Sequence, residues 1–270
     1  AASVSDLKPF LDLCDILPWE SQCGWMLASF CFIAPICGAL DWRPSIWLKG
    51  PPGVGKSYTF SNIITPCIEP CIKALSETTA AAVRQAIGCD AIPVAIDEFE
   101  AHDTKTREIV AGMLSLNRQA SSESGASIYK GSPSGQSHKY RCRSCFIYSS
   151  IAMAVFEAAD ETRIVGLEFK KRLNDEAKEN FKRIQELVSK TTLQPKFTRA
   201  MLFRAISRAA LIREAAIIFG DAIRDITHAQ EPQHKALYTA TEGPTRPEVL
   251  AGTGCRRAGG EAGQEIGRAS

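Results

Sequence analysis

The chain has almost no excess of charge: 32 Lys and Arg against 30 Asp and Glu leave a formal net charge of +2 over 270 residues. That excludes a globally basic surface, so contact with nucleic acid has to come from local clusters of cations. A membrane-length apolar run is also missing. The apolar stretch 25–40 contains Pro35 and Gly38 and falls short of the roughly 20 residues that a spanning helix needs, so a buried helix ending near Pro35 is expected. No charged leader followed by a small-residue cleavage site opens the sequence, and export is not indicated. Histidine is scarce, with four in all, and neither His102 nor His228 has a partner at metal-ligand spacing. Cysteine is not scarce, but the spacing of a disulfide framework is absent. The ten cysteines are scattered, most of them in apolar stretches, which reads as buried thiols in a reducing cytosol. Cys142-Arg143-Ser144-Cys145 is a lone C-x-x-C without a second pair, which disfavours zinc.

What is present is a chain long enough for one nucleotide-binding core plus helical additions, with 45% apolar residues to bury. Residues 1–44 carry helical periodicity broken at Pro18 and Pro35, predicting two helices that support the first strand. From Ser45 the pattern alternates: strand 46–49, loop and helix 50–65, strand 72–75, helix 78–87, strand 92–96 and helix 104–118. Two more strands are predicted at 145–151 and 163–169. That order predicts an α/β fold with a five-stranded parallel sheet sandwiched by helices. A β-hairpin is expected within 127–143, around Gly131 to Gly135. The core then spans 45–170, a helical subdomain 171–228, and a poorly ordered tail 229–270, where apolar periodicity gives way to Pro and Gly.

Residues 50–57 read GPPGVGKS, the G-x-x-x-x-G-K-[ST] phosphate-loop pattern, directly after the apolar run Ser45 to Lys49. Glycines let backbone N–H groups turn around phosphate oxygens without a side chain in the way. Gly50, Pro51, Pro52, Gly53, Val54, Gly55, Lys56, Ser57 and Tyr58 are the expected nucleotide contacts. Lys56 would reach the β- and γ-phosphates, and Ser57 would hold Mg²⁺. Val94-Ala95-Ile96 ends in Asp97-Glu98, and Asp97 lies 41 residues after Lys56. Asp97 suits Mg²⁺ opposite Ser57, and Glu98 suits the orientation or deprotonation of water. The alternative is a strand ending in a solvated acidic turn that also includes Glu100 and Asp103.

Three further features are less self-contained. Ser149 and Ser150 end the fourth predicted strand, where a polar group senses the γ-phosphate; ordinary strand hydroxyls are the alternative. Arg163 precedes the fifth strand, where an arginine can reach the nucleotide of a neighbouring subunit; a salt bridge to Asp160 or Glu161 is the alternative. The hairpin carries Lys130, His138, Lys139, Arg141 and Arg143, with Tyr129 and Tyr140 interleaved. Cations can follow a phosphate backbone and tyrosines can stack on unpaired bases, whereas a solvated hairpin would use the same cations to discourage edge pairing.

IWLKGPPGVGKS, VRQAIGCDAIPVAIDEFE, RQASSESGASIYKGS and SSIAMA with AADETRI together resemble the helicase-like ATPase domain of phage and prophage primase-helicases. That group is related to superfamily 3 helicases within the AAA+ class, and the resemblance covers about Leu17 to Ile226. It implies an AAA+-like P-loop NTPase fold and a cytoplasmic, Mg²⁺-dependent ATP hydrolase that moves on single-stranded DNA in phage or mobile-element replication. It further implies a homo-oligomeric ring, with a hexamer as one form, and a primase or Toprim domain as a partner. The residues that match are Lys56, Ser57, Asp97 and Glu98 for the ATP site, Arg163 for the arginine finger, and Lys130 and Lys139 for the DNA-gripping hairpin. One departure is Ala152, where the family often has an asparagine just after Ser-Ser-Ile; another is the tail after His228. The rival readings are an ATPase that loads or recruits replication proteins without unwinding, and a small-molecule kinase.

Overall fold

Five apolar runs become five parallel strands in the computed structural model, which describes residues 4–21, 23–121, 128–131, 137–154, 157–171 and 175–218. The chain opens with α1 (Val4–Asp15) and α2 (Gly24–Ile33), which runs into a 3₁₀ turn (Ala34–Ala39). Then come β1 (Ser45–Lys49), α3 (Lys56–Thr59), a π turn (Phe60–Ile64), α4 (Thr65–Ile68), β2 (Ile72–Leu75), α5 (Ala80–Ile87), β3 (Val94–Asp97) and α6 (Thr104–Ala120). The hairpin strands β4 (Ile128–Gly131) and β5 (Ser137–Tyr140) precede β6 (Phe146–Ser150), α7 (Ala158–Glu161) and β7 (Ile164–Glu168). Helices α8 (Asp175–Lys190) and α9 (Pro195–Ser207) follow.

The sheet order is β2-β3-β6-β1-β7, parallel throughout. This is a P-loop NTPase-like α/β fold. The inner strands are covered on both faces, which is why β1, β3 and β6 read as continuous apolar runs rather than alternating ones. Ile46 and Leu48 of β1 join Ala95, Ile147 and Leu167 in a core shared with α1, α2 and α4. Trp47, between them, joins Ile96, Phe146 and Tyr148 in a second core with α5 and α6. The period of two thus sorts one strand into two layers. The segment after α1 is tied to the end of β7: Glu20 N–H donates to Glu168 O at 2.9 Å and Lys170 N–H to Pro18 O at 2.6 Å, and the Trp19 and Phe169 rings lie 4.5 Å apart.

Two helices differ from expectation. The helix after the phosphate loop, expected to end near Thr65, continues to Ile68 through the π turn. Pro66 has no N–H for the carbonyl of Asn62, so the α ladder cannot close there. Thr192 Oγ1 donates to Asn62 O instead, at 2.5 Å, which ties this helix to the α8–α9 connection. The periodicity over 196–218 reads as one helix, but α9 ends at Ser207 and helix resumes at 209–218. Ser207 Oγ donates to Arg204 O at 2.9 Å, and such back-bonding competes with the helical ladder. No described helix is long and apolar enough to cross a membrane. The expected tail 229–270 lies outside the described residues, and residues 1–218 group as one compact unit.

Candidate nucleotide site

All five strands end at one edge of the sheet, and the loop after β1 meets the acids after β3 there. Ligands of open α/β sheets sit at this C-terminal edge. Gly50 has φ 149°, and a Cβ there would come within 2.8 Å of Phe169 O, so the loop packs tightly against the end of β7. Gly53 and Gly55 have φ 78° and 93° with open space around them, so backbone conformation rather than packing requires glycine there. Gly55 caps α3 in the left-handed region.

Lys56 Nζ donates to two carbonyls of its own loop, Gly50 O at 2.6 Å and Pro51 O at 2.9 Å. Partial burial lowers its pKa below the ordinary 10.5, opposed by the negative charges of Glu100 and then Asp97. Lys56, Asp97 and Glu100 border the same cavity. Asp97 Oδ1 accepts from Glu98 N–H at 3.0 Å. Glu98 itself is exposed and has φ 54°, the one described non-glycine residue with positive φ. The cause lies one residue on. Phe99 is fully buried, stacks on Tyr148 at 4.7 Å, and donates its N–H to Ser149 O at 2.8 Å. Pulling Phe99 into the core turns the chain sharply at Glu98, a strain of about 1–3 kcal/mol of the kind that collects at functional sites.

Around these groups lies a cavity of about 700 Å³ bordered by Lys56, Ser57, Asp97, Glu98, Glu100 and Ser150, among others. Sequence reasoning left Glu100 in a solvated turn. Its carboxylate instead accepts from Ile151 N–H at 2.8 Å and contacts His102 Nε2 at 2.8 Å, joining the turn after β3 to the end of β6. The signal was available: a large aromatic between two acids implies that the chain dips into the core and returns.

A second, more apolar cavity of about 400 Å³ shares Gly53, Gly55 and Tyr58 with the first, and is closed by Ile16, Phe181 and Ile184. Tyr58 meets Phe181 edge-on at 5.2 Å. An apolar slot beside a polar cavity can take a ligand with a flat ring at one end and anionic groups at the other. Val54 and Tyr58 on the near wall belong to the phosphate-loop segment, whereas the far wall comes from distant parts of the chain.

The expectation for Ser150 is corrected. It is 2% exposed; its Oγ accepts from Trp47 Nε1 at 2.6 Å and donates to Ala152 O at 2.7 Å. It borders the cavity, but its one proton is engaged by Ala152 O, so as placed it does not offer a donor to a γ-phosphate. Arg163 lies just before β7, at the N-terminal edge of the sheet and thus at the opposite end from the phosphate loop. Its Nη1 donates to Ala159 O at 2.6 Å and Thr162 Oγ1 at 3.2 Å. Asp160, offered by the sequence as its salt-bridge partner, pairs with Arg118 instead, at 2.7 Å.

In the hairpin, Lys130 pairs with His138 and Tyr129 with Lys139 in the backbone register. Lys139 and Tyr129 are exposed; the side chains of Lys130 and His138 lie outside the described part, as do residues 132–136. The Tyr140 ring carries Arg84 over its face at 5.4 Å, so this tyrosine already stacks on a cation within the chain. Among the described residues no group of three or more His, Cys, Asp and Glu side chains is placed to hold a metal, and all nine described cysteines are free. Ser57 and Asp97, one hydroxyl and one carboxylate on the same cavity, are hard oxygen donors of the type Mg²⁺ takes beside phosphate oxygens and water.

No protein-family model and no curated protein matches the chain. Among solved structures it is similar to two structures of JCV helicase, one with a substituted N-phenylacetamide bound and one with an inhibitor bound, each at 13% identity. One has a TM-score of 0.43, covering 80% of this chain and 62% of the other; the second has 0.42, covering 83% and 61%. A third similar structure is the apo NrS-1 C-terminal region (305–718), at 14% identity and TM-score 0.38, covering 72% of this chain and 47% of that one. The chain thus spans about three fifths or less of the length of these structures. At these values the likeness carries no information on activity.

Proposed function

We propose that the chain is an Mg²⁺-dependent ATP hydrolase that works as a helicase or translocase on single-stranded DNA. The observation that supports this is the convergence of Lys56, Ser57, Asp97 and Glu98 on one cavity at the C-terminal edge of the sheet. ATP would lie across the phosphate loop, its base between Tyr58 and the Phe181 wall and its phosphates against the N–H groups that open α3. Lys56 exchanges the carbonyls of Gly50 and Pro51 for phosphate oxygens. Ser57 and Asp97 would hold Mg²⁺, which would supply charge neutralisation of the phosphates.

The strained turn presents the Glu98 carboxylate to solvent at the cavity, free among the described residues of any hydrogen bond, so it can orient a water and take its proton. Arg163 belongs to a different event. Sited at the far edge of the sheet, it would serve the nucleotide of a neighbouring copy, which is the motive for proposing a homo-oligomeric ring. The hairpin, with Lys139 and Tyr129 exposed, would grip the DNA backbone and bases.

The test is ATP hydrolysis measured with and without single-stranded DNA, together with strand displacement. DNA is expected to stimulate hydrolysis, and Lys56→Ala to reduce it by about 100-fold or more. Hydrolysis unchanged in Lys56→Ala overturns the site, and hydrolysis without displacement favours a loader over a motor. Lys130→Ala with Lys139→Ala is expected to weaken DNA binding and flatten its salt dependence.

A further inference from the structure

The proposed role of Arg163 requires that a long, flexible side chain be held in one place, and the element that holds it is small. Helix α7 is a single turn, Ala158–Glu161, and its N-cap Glu157 makes no side-chain capping bond. Yet its carbonyls seat the arginine twice: Ala159 O accepts from Arg163 Nη1 at 2.6 Å, and Asp160 O accepts from the Arg163 backbone N–H at 3.0 Å. A four-residue turn does not hold itself. What fixes it is Asp160, 1% exposed, whose two carboxylate oxygens both contact Arg118 Nη1, at 2.8 and 2.7 Å. Arg118 also reaches Glu157, the residue before the turn, at 3.2 Å.

Arg118 is itself anchored. It sits in the last turn of α6, where Arg43 Nη1 donates to Ala120 O at 3.1 Å, Arg43 N–H to Ser121 O at 2.8 Å, and Ser45 Oγ to Asn117 Oδ1 at 2.8 Å. The helix end is thereby bound to the start of β1. We propose that Arg118, through the buried carboxylate of Asp160, is the positioning residue that seats Arg163 for action on the neighbouring copy's nucleotide. This rests on the reading of Arg163 given above. A misplacement of about 1 Å in such a group costs on the order of 100-fold in rate.

The experiment uses the full chain. Arg118→Lys keeps the charge but loses the planar fork, and Asp160→Asn removes the buried anion. The neutral pair Arg118→Met/Asp160→Asn leaves no buried charge without a partner and so preserves the fold, which thermal melting checks. Each is expected to lower kcat about 10- to 100-fold without changing the ATP concentration for half-saturation. Arg118→Lys added to Arg163→Ala is expected to slow hydrolysis no further than Arg163→Ala alone.

Mixing any of these variants with Lys56→Ala copies is expected to restore hydrolysis, because a Lys56→Ala copy still presents a seated Arg163 to its neighbour's intact site. A loss of general structure would not be cured this way. If Arg163→Ala is slow and is rescued by Lys56→Ala, but the Arg118 and Asp160 variants are as fast as the unaltered chain or are not rescued, the positioning role is wrong. If Arg163→Ala is itself as fast as the unaltered chain, or is not rescued, the arginine reading falls and the positioning role falls with it.

Discussion

The two edges of the sheet treat their charged side chains in opposite ways. At the C-terminal edge, Glu98 is exposed on a strained turn and Lys56 rests on carbonyls of its own loop. At the N-terminal edge, Arg118 and Asp160 close on each other and the buried Arg43 guanidinium closes on backbone carbonyls. One edge keeps charge available for a ligand; the other uses charge as fastening. Helix α6 joins them. Its 17 residues, about 25 Å at 1.5 Å per residue, run from the Asp103 cap, whose neighbours His102 and Thr106 border the polar cavity, to the turn that carries Arg118. The difference is what motivates the proposal that Arg163, at the fastened edge, serves the open edge of a second copy.

The sharpest way to break this contrast is at Glu98. Glu98→Gln is expected to lower kcat for ATP about 100-fold with ATP binding retained, and Glu98→Gly to do the same while raising stability by up to about 1 kcal/mol, since glycine accepts positive φ. Hydrolysis that survives both, or a Glu98→Gly chain that melts earlier, would show that the open edge is not poised as described. Ser150→Ala tests whether every polar group at that edge is functional. It leaves Trp47 Nε1 buried without an acceptor and is expected to destabilise the chain by about 1–3 kcal/mol in denaturant unfolding, with kcat of the folded fraction little changed; a large fall in kcat would restore Ser150 as a phosphate sensor.

The smallest effect is at the cap between the edges. Asp103 accepts from Thr106 N–H at 2.7 Å, and that bond, then the Thr106 hydroxyl, holds its pKa below the ordinary 3.8. A lowered carboxylate pKa stabilises the fold above pH 3.8, and that stabilisation is lost as pH falls through the folded value. Asp103→Ala is therefore expected to lower the melting temperature slightly at pH 7, by a margin that narrows as pH drops below that value. A margin independent of pH would mean that the cap's charge plays no part.

The open edge was legible because its parts are contiguous. GPPGVGKS and the run Val94 to Glu98 carry their chemistry within a few residues, and continuous apolar runs announce strands buried on both faces. The fastened edge was not: RQASSESGASIYKGS contains Arg118 and AADETRI contains Asp160, but the two residues lie 42 positions apart and neither string shows that they pair. Ser150 was misread for a physical reason: a strand-end hydroxyl looks the same in sequence whether it faces a ligand or the indole N–H of Trp47. The apolar cavity shows the same limit, since Phe181 and Ile16 come to line it together only after the helices pack.

The π turn of 60–64 has a consequence of phase. One extra residue in a helix rotates everything after it by about 100°, so the helix carries two settings: one in which Lys56 and Ser57 face the cavity, and another in which Cys67 and Ile68 face the core. The π turn absorbs that residue in one wider turn, so deleting one residue there would restore a plain α-helix with both settings kept, whereas deleting one elsewhere in the helix would set one of them wrong. The phosphate loop is in this sense indexed against the interior by one surplus residue, and Pro66 next to the turn, lacking an N–H, leaves the Asn62 carbonyl that Thr192 takes up.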